Sequence, residues 1–595
     1  MIKTLAAAVV AGIILSLLAL YPQWNLRELR GEDYNGAFAT YDLDEMAYAS
    51  YLQALIDGRV RKNDPYTGRD HEPGSPQPES LFSIQFLTAY AAAGAARIVG
   101  ISAAGAMPYI SVISAFLTAI ALFWVFFLVT GSRWLSLAGT IGVMVSGGLI
   151  SGIGAVNSLY DGGTAYPFFP YLRRHIPSLS FPFLFAMIGC VWCGIRSIDL
   201  KRQTVWAVLA AACFAVLTFS YFYLWTSAAA LLAILFALTL LPHDGRRESL
   251  RFLAILAGLC VIVLIPYAFL VSGRNPMMDK AQLLVETRSP DLFRSIEVVG
   301  YVLIAALAVL YWFLKLELRT VLFIAAMAAA PILAFNQQVI TGRSLQPFHY
   351  EYYSINYVAA LALFLTAAVL AKRLANEKML TAAGLSAAAV CTAWGIFEAV
   401  ETTRIWDDIN IVRDEAKPVG LRLRELASGD IAAARRQTTF NAEPIQGDSQ
   451  PTIAPQSVLW ARHQHTFAGV ADWEENRRRY YQMLYFQGRD ADWLRTALTG
   501  CRDIEACMAL FGWDRFNATL SSAARPLTLG EIDEEVEYFR AFRESFDAAH
   551  AYEPLLHYAV YRIDTDLPAE FLSRWYELGE PEVHGSYVLT PLTRR

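Results

Sequence analysis

The sequence is poor in charge: Asp, Glu, Lys and Arg make up only 17% of its 595 residues, against 55% hydrophobic residues, and mean hydropathy is +0.35. That balance excludes a soluble multidomain enzyme and indicates a polytopic membrane protein. A basic surplus is also missing. With 49 Lys and Arg against 54 Asp and Glu the formal net charge is -5, and there is no basic stripe to bind nucleic acid. Cysteine is scarce, and none of the seven stands at metal-ligand spacing with histidine. Cys190, Cys193, Cys213, Cys260 and Cys391 lie in apolar runs, where cysteine acts as a small hydrophobe. Cys501 and Cys507 flank a short polar segment and are expected to bridge if that region faces an oxidising compartment. No internal repeat of solenoid period is present.

What the chain does have is a succession of apolar runs, most near the ~20 residues that span a bilayer. The first, 4–21, follows Lys3 and reads as an uncleaved anchor, because no small-x-small cleavage site follows it; a signal peptide is the alternative. Further runs lie at about 81–99, 108–129, 134–150, 181–198, 205–224, 227–241, 250–271, 298–314, 320–335, 352–370 and 380–400. Lys and Arg recur in every second short loop (Lys201 and Arg202; Arg246, Arg247 and Arg251; Lys315 and Arg319; Lys372, Arg373 and Lys378), which marks those loops cytoplasmic. Parity then conflicts with a first helix entered from Lys3 unless one run does not cross. The run 81–99, diluted with Ala and Gly and carrying Gln85 and Arg97, is assigned to the interface. About eleven spanning helices result, with the N-terminus cytoplasmic and the C-terminus outside.

This register gathers four polar stretches on the outer side: 22–80, 157–180, 272–297 and 336–351. The first contains residues 41–48, Tyr-Asp-Leu-Asp-Glu-Met-Ala-Tyr, where Asp42, Asp44 and Glu45 crowd three carboxylates near a membrane surface at a cost in desolvation and repulsion. Capping of the helix that follows is one use for them, catalysis another. The other stretches carry Arg173, Arg174 and His175, then Arg274, Lys280, Arg288 and Arg294, then Gln337, Gln338, Arg343 and His349. A cationic rim opposite an acidic loop suits a phosphate headgroup. After residue 400 the chain turns charged and aromatic. Residues 401–595 are expected to form a small α/β domain, with helices over 461–485 and 529–546, strands over 557–563 and 586–590, and a loop over 437–455.

Asp44-Glu45-Met46-Ala47-Tyr48 after a first membrane helix, with Asp57-Gly58 and Pro65-Tyr66 further on, resembles the first external loop of the GT-C superfamily of membrane glycosyltransferases. Asn336-Gln337-Gln338-Val339-Ile340-Thr341-Gly342-Arg343, with Gln346-Pro347-Phe348-His349-Tyr350, resembles a polar outer-loop motif of bacterial membrane proteins with GT-C-like architecture. The resemblance spans residues 1–400, with 22–107 as a first external loop carrying interfacial helices and 401–595 as a separate extracytoplasmic domain. It implies transfer of a sugar from a polyprenyl-phosphate-linked donor to a glycan, lipid or protein acceptor at the outer face of a bacterial inner membrane. Asp44 would be the general base, with Glu45 and Asp42 in support; Arg343, His349, Arg173, Arg174, Gln337 and Tyr66 would bind the donor. Asp161 is the candidate if a second carboxylate is needed. Asp42 and Asp44 form Asp-x-Asp, which in oligosaccharyltransferases helps hold a divalent cation. The rest of a carboxylate cage is not visible in the sequence, so no cofactor is required and a metal is not favoured. A lipid or polysaccharide-precursor flippase, or a non-enzymatic envelope assembly component, is the alternative.

Overall fold

The computed structural model describes residues 2–160, 175–281, 284–467, 472–512, 515, 526–565 and 569–595. Asp161, Arg173 and Arg174 lie outside the described residues. Among those described, ten helices are long and apolar enough to cross a membrane, from Ile2–Asp33 to Glu377–Leu426. The protein is a polytopic α-helical membrane protein with a small C-terminal α/β unit.

Close approach of the helices depends on residues without side chains meeting aromatic rings. A Cβ on Gly12 would lie 2.5 Å from the Phe116 ring, and one on Gly194 would lie 2.1 Å from Phe252. Lipid supplies no hydrophobic force between helices, so such interlocking of small and large residues does much of the holding.

Two apolar runs depart from simple spans. Residues 81–99 form two helices, Leu81–Ile84 and Leu87–Val99, of 4 and 13 residues. Ser80 and Ser83 cap the first reciprocally, and Gln85 breaks from helical geometry so that its side chain accepts the Phe222 amide at 3.3 Å. At 1.5 Å per residue neither piece reaches the ~30 Å of a hydrocarbon core. The second departure is a kink within the run 134–150. The helix Arg133–Val145 stops after 13 residues at Ser146, and Gly147–Ser151 continues as a separate turn. Gly147 sits at the break, where the Tyr357 ring comes within 2.5 Å of its absent Cβ. Ten unbroken helices thus have the length and composition of a span among the described residues, and the kinked run joins the Thr130 carbonyl, bonded by Lys372, to Ser151, bonded to the Glu351 carbonyl, ends that lie on opposite faces in the expected register.

The last long helix continues beyond residue 400 and bends at Arg404–Trp406 into Asp407–Leu426. Two sheets are present among the described residues. The first is a hairpin of β1 (Leu284–Glu286) and β2 (Arg343–Leu345), antiparallel, with Glu286 opposite Arg343. The second belongs to the C-terminal unit: β3 (Thr438–Asn441), β4 (Ser457–Val458), β5 (Leu556–Arg562), β6 (Tyr576–Leu578), β7 (Glu582–His584) and β8 (Tyr587–Arg594), in the order β4-β3-β5-β8-β6 with β7 also on β8. β3 runs parallel to β4 and β5, and β8 antiparallel to β5.

The loop expected over 437–455 is instead β3 followed by the helix Pro444–Ser449. Thr-Thr-Phe-Asn has the β-branched and aromatic residues a buried strand needs, and all four are buried, which outweighs the Pro and Gln around them. The helix expected over 461–485 starts only at Trp473, capped by Asp472. Cys501 and Cys507 are disulfide-bonded with Cα atoms 5.8 Å apart. Mass spectrometry of the non-reduced protein is expected to recover this pair as one cross-linked peptide; two free thiols would contradict it.

Candidate active site

The acidic loop is held from behind by the helix Asp407–Leu426. Asp414, fully buried, accepts hydrogen bonds from the amides of Asn35 and Ala37 and pairs with Arg30 at 3.1 Å. Asn410 accepts the Thr40 amide at 2.8 Å, and Arg413 donates to the Phe38 carbonyl at 3.0 Å. Within the loop, Glu45 is buried and accepts the Tyr41 amide at 2.7 Å, while Asp42 accepts the Asp44 amide at 3.0 Å. Both supporting carboxylates thus shape the turn.

Asp44 behaves differently. It occupies the cap position of the helix Glu45–Ile56, yet its side chain makes no capping hydrogen bond. Its carboxylate instead receives His463 Nε2 at 3.0 Å, and His463 Nδ1 meets Asp448 at 2.6 Å. The His463 amide also donates to Asp448, at 3.1 Å. Side-chain exposures of 32% for Asp44, 5% for His463 and 1% for Asp448 leave Asp44 as the open end of the row.

An imidazole with a carboxylate at each ring nitrogen is saturated only as a cation donating two N–H bonds. Burial works against that charge, but Asp448 and Asp44 outweigh it and lift the His463 pKa to about 9. Two residues on, burial followed by the repulsion of His463 and Arg462 drives His465 down to about 3, so this second histidine is neutral. Burial also raises Glu505 to about 7 despite Arg462 at 3.9 Å.

A cavity of about 690 Å³ lies between the helices Phe222–Thr239, Arg246–Ser272 and Leu318–Thr341. Its walls are apolar and aromatic, among them Trp225, Ala229, Tyr267 and Leu333, and its polar side carries Arg274, Asp279, Gln337 and Arg343. Two walls are shared with the acidic site. The short helix Met277–Ala281, which supplies Met278 and Asp279 to the cavity, packs against the turn Gln464–Thr466 just after His463. On the other side Leu81 and Ile84 face the cavity, while Phe82 between them packs on Tyr48 at 4.9 Å and stacks on Phe467 at 4.2 Å.

The expected donor residues therefore separate. Arg343 and Gln337 line the cavity; the Gln337 amide donates to the Arg343 carbonyl at 2.9 Å, and Arg343 approaches Glu286 at 3.3 Å while 58% exposed. Arg274 joins them, paired with Asp279 at 2.8 Å. His349 is not on the cavity wall: it is buried edge-on to Tyr223 at 4.6 Å, between Phe348 and Tyr353. Tyr66 is fully buried, and its hydroxyl donates to the Asp448 carbonyl at 3.2 Å, so it braces the helix that carries Asp448. His463 and Asp448 were not singled out from the sequence. The signal available was Arg462-His463-Gln464-His465, two of nine histidines within three residues.

A divalent cation on Asp42 and Asp44 does not fit this arrangement. His463 Nε2 already lies 3.0 Å from the Asp44 carboxylate, Asp42 accepts a backbone amide, and among the described residues no group of three or more His, Cys, Asp or Glu is arranged around a metal. No step is routed through one.

The chain matches no protein-family profile and no curated protein. Among solved structures it is similar to the Archaeoglobus fulgidus oligosaccharyltransferase in complex with Zn and sulfate, at 13% identity and a TM-score of 0.47 over 97% of this chain and 71% of that one. It is also similar to ArnT from Cupriavidus metallidurans bound to undecaprenyl phosphate, at 12% identity and a TM-score of 0.41 over 98% of this chain and 97% of that one. At such scores the chemistry has to be read from this chain's own residues.

Proposed function

We propose that the protein is a membrane glycosyltransferase of the GT-C type, moving a sugar from a polyprenyl-phosphate-linked donor to an acceptor hydroxyl or amide on the extracytoplasmic face, with Asp44 as general base. The observation that carries this reading is the apolar cavity with Arg274, Gln337 and Arg343 at its polar side, lined by two segments that also pack on Tyr48 and on Gln464–Thr466, close in sequence to Asp44 and His463. A volume of about 690 Å³ falls in the ~300–1,000 Å³ range of small-molecule sites, and the apolar lining suits an isoprenoid chain. The cysteine bridge suits an oxidising compartment on the side of the C-terminal unit.

In this scheme the donor's isoprenoid lies among Trp225, Ala229 and Leu333 and its phosphate meets Arg343, Gln337 and Arg274. The acceptor atom attacks the anomeric carbon as the carbon–oxygen bond to phosphate breaks, inverting that centre. The bonding pair leaves on the polyprenyl phosphate, and the acceptor proton passes to Asp44. The two arginines stabilise the charge that develops on the leaving phosphate. Their present ion pairs are partly exposed and worth at most ~1 kcal/mol each, so exchange for a phosphate is inexpensive.

The test is full-length protein in liposomes with a panel of polyprenyl-phosphate-linked hexoses and pentoses and extracted envelope glycan, lipid and protein as acceptors. Release of free polyprenyl phosphate together with a glycosylated product is expected. Transbilayer movement of the labelled lipid with no release would favour the flippase and overturn the reading. Arg343→Ala is expected to lower kcat/KM about 10–100-fold, the loss of one charge-assisted hydrogen bond of ~1.5–3 kcal/mol. An unchanged kcat/KM would remove Arg343 from the donor site.

A further inference from the structure

The Asp44 side chain makes no capping hydrogen bond to its own helix and reaches instead to the C-terminal unit. From the geometry we infer that His463, supplied by the C-terminal unit, is the positioning residue for Asp44, held in place from behind by Asp448. The inference rests on the glycosyltransferase reading and concerns which residue makes Asp44 competent.

Three observations support it. First, the row is continuous: Asp448 at 2.6 Å, the imidazole ring, then Asp44 at 3.0 Å, with the His463 amide on the same Asp448 carboxylate. A ring tethered at both Nδ1 and its own backbone has little freedom left to swing away from Asp44. Second, the order of exposure runs one way, so the only part of the row that an acceptor reaches directly is Asp44. Third, the support is itself supported. Tyr66 from the first loop bonds the Asp448 carbonyl, and the Val458 amide donates to the Tyr66 carbonyl at 2.7 Å, tying β4 to the same point. A ligand-orienting partner held by its own partner is the arrangement that fixes a catalytic side chain to a fraction of an ångström.

The groups that face His463 are Asp44 from the loop, Asp448 from the helix Pro444–Ser449, Arg462 and His465 from its own segment, and Glu505 from the helix Ile504–Phe511. The two carboxylates in contact dominate and favour the imidazolium over burial. Because the folded pKa is raised from 6.5 to about 9, the charged bridge is complete below pH 6.5 and is lost as pH rises through about 9. Below that limit His463 is a donor to Asp44 and does not compete with it for the acceptor proton.

The experiment is the pH–rate profile of the full-length enzyme in liposomes for the unmodified chain, H463Q, H463A and D448N, with D44N as the reference for chemistry. Fluorescence-detected size exclusion confirms that each variant is folded. Expected are a descending alkaline limb near pH 9 in the unmodified chain, a 10–100-fold lower kcat with that limb abolished and donor KM little changed in H463Q and H463A, and a limb moved at least one pH unit lower in D448N. If H463Q and H463A turn over at the unmodified rate with the alkaline limb intact while D44N is inactive, the inference is overturned and the glycosyltransferase reading survives. If D44N itself turns over normally, it is the reading that fails. Should both His463 variants fail to fold, D448N decides: an unshifted limb overturns the inference.

Discussion

Asp44→Asn is expected to lower the transfer rate by about 10²–10⁴-fold, the contribution of a positioned general base. Asparagine keeps the size of the side chain and can still accept from His463, so folding and donor binding should survive while proton acceptance is lost. The measurement is glycosylated product formed per minute by folded protein, with polyprenyl phosphate binding as the internal control. Glu45→Gln and Asp42→Asn make an informative contrast. Their carboxylates accept the Tyr41 and Asp44 amides, a task an amide oxygen can share, so smaller losses are expected. A product rate for D44N within threefold of the unmodified chain would end the assignment of Asp44 as base.

The second large effect is on stability. Asp414→Ala should destabilise the folded protein by about 3–5 kcal/mol, the usual result of removing one partner from a buried ion pair. Asp414 is fully buried and serves three groups at once: Arg30 and the amides of Asn35 and Ala37. Alanine leaves two loop amides without their acceptor and a guanidinium without its partner. The nearby Asp408→Ala, on an exposed position of the same helix, should stay within about 0.5 kcal/mol. Thermal unfolding followed by tryptophan fluorescence separates the two; equal midpoints would show that Asp414 does not hold the loop.

How far the sequence reveals this molecule depends on the range of the interaction concerned. The long apolar runs read correctly because twenty consecutive lipid-compatible residues are a local property, and β5 and β8 read correctly because their alternation is local too. The helix break at Ser146 was hidden because an apolar run with four glycines satisfies composition while the Tyr357 ring needs the gap at Gly147. β3 was hidden because Gln and Pro on either side mask four strand-forming residues. At the site, the acidic loop was legible from its unusual charge beside lipid. Its partner was not: His463 is 419 positions from Asp44, and no local pattern links them. Tyr66 and His349 show the converse error, where polar residues in a suggestive loop turn inward to brace or pack.

The pairing of Asp44 with a residue 419 positions later also sets an order of events during synthesis. At ~5–20 residues per second, His463 emerges roughly 20–80 s after the first loop has been made. For that interval the nascent chain carries its acidic loop and early helices while the imidazole that completes the row does not yet exist. A chain truncated by a premature stop before residue 463 would insert many of its helices into the membrane and still lack the histidine. Incomplete copies therefore hold Asp44 without the residue that positions it, and the rate proposed for the full chain is reached only once the C-terminal unit has been made.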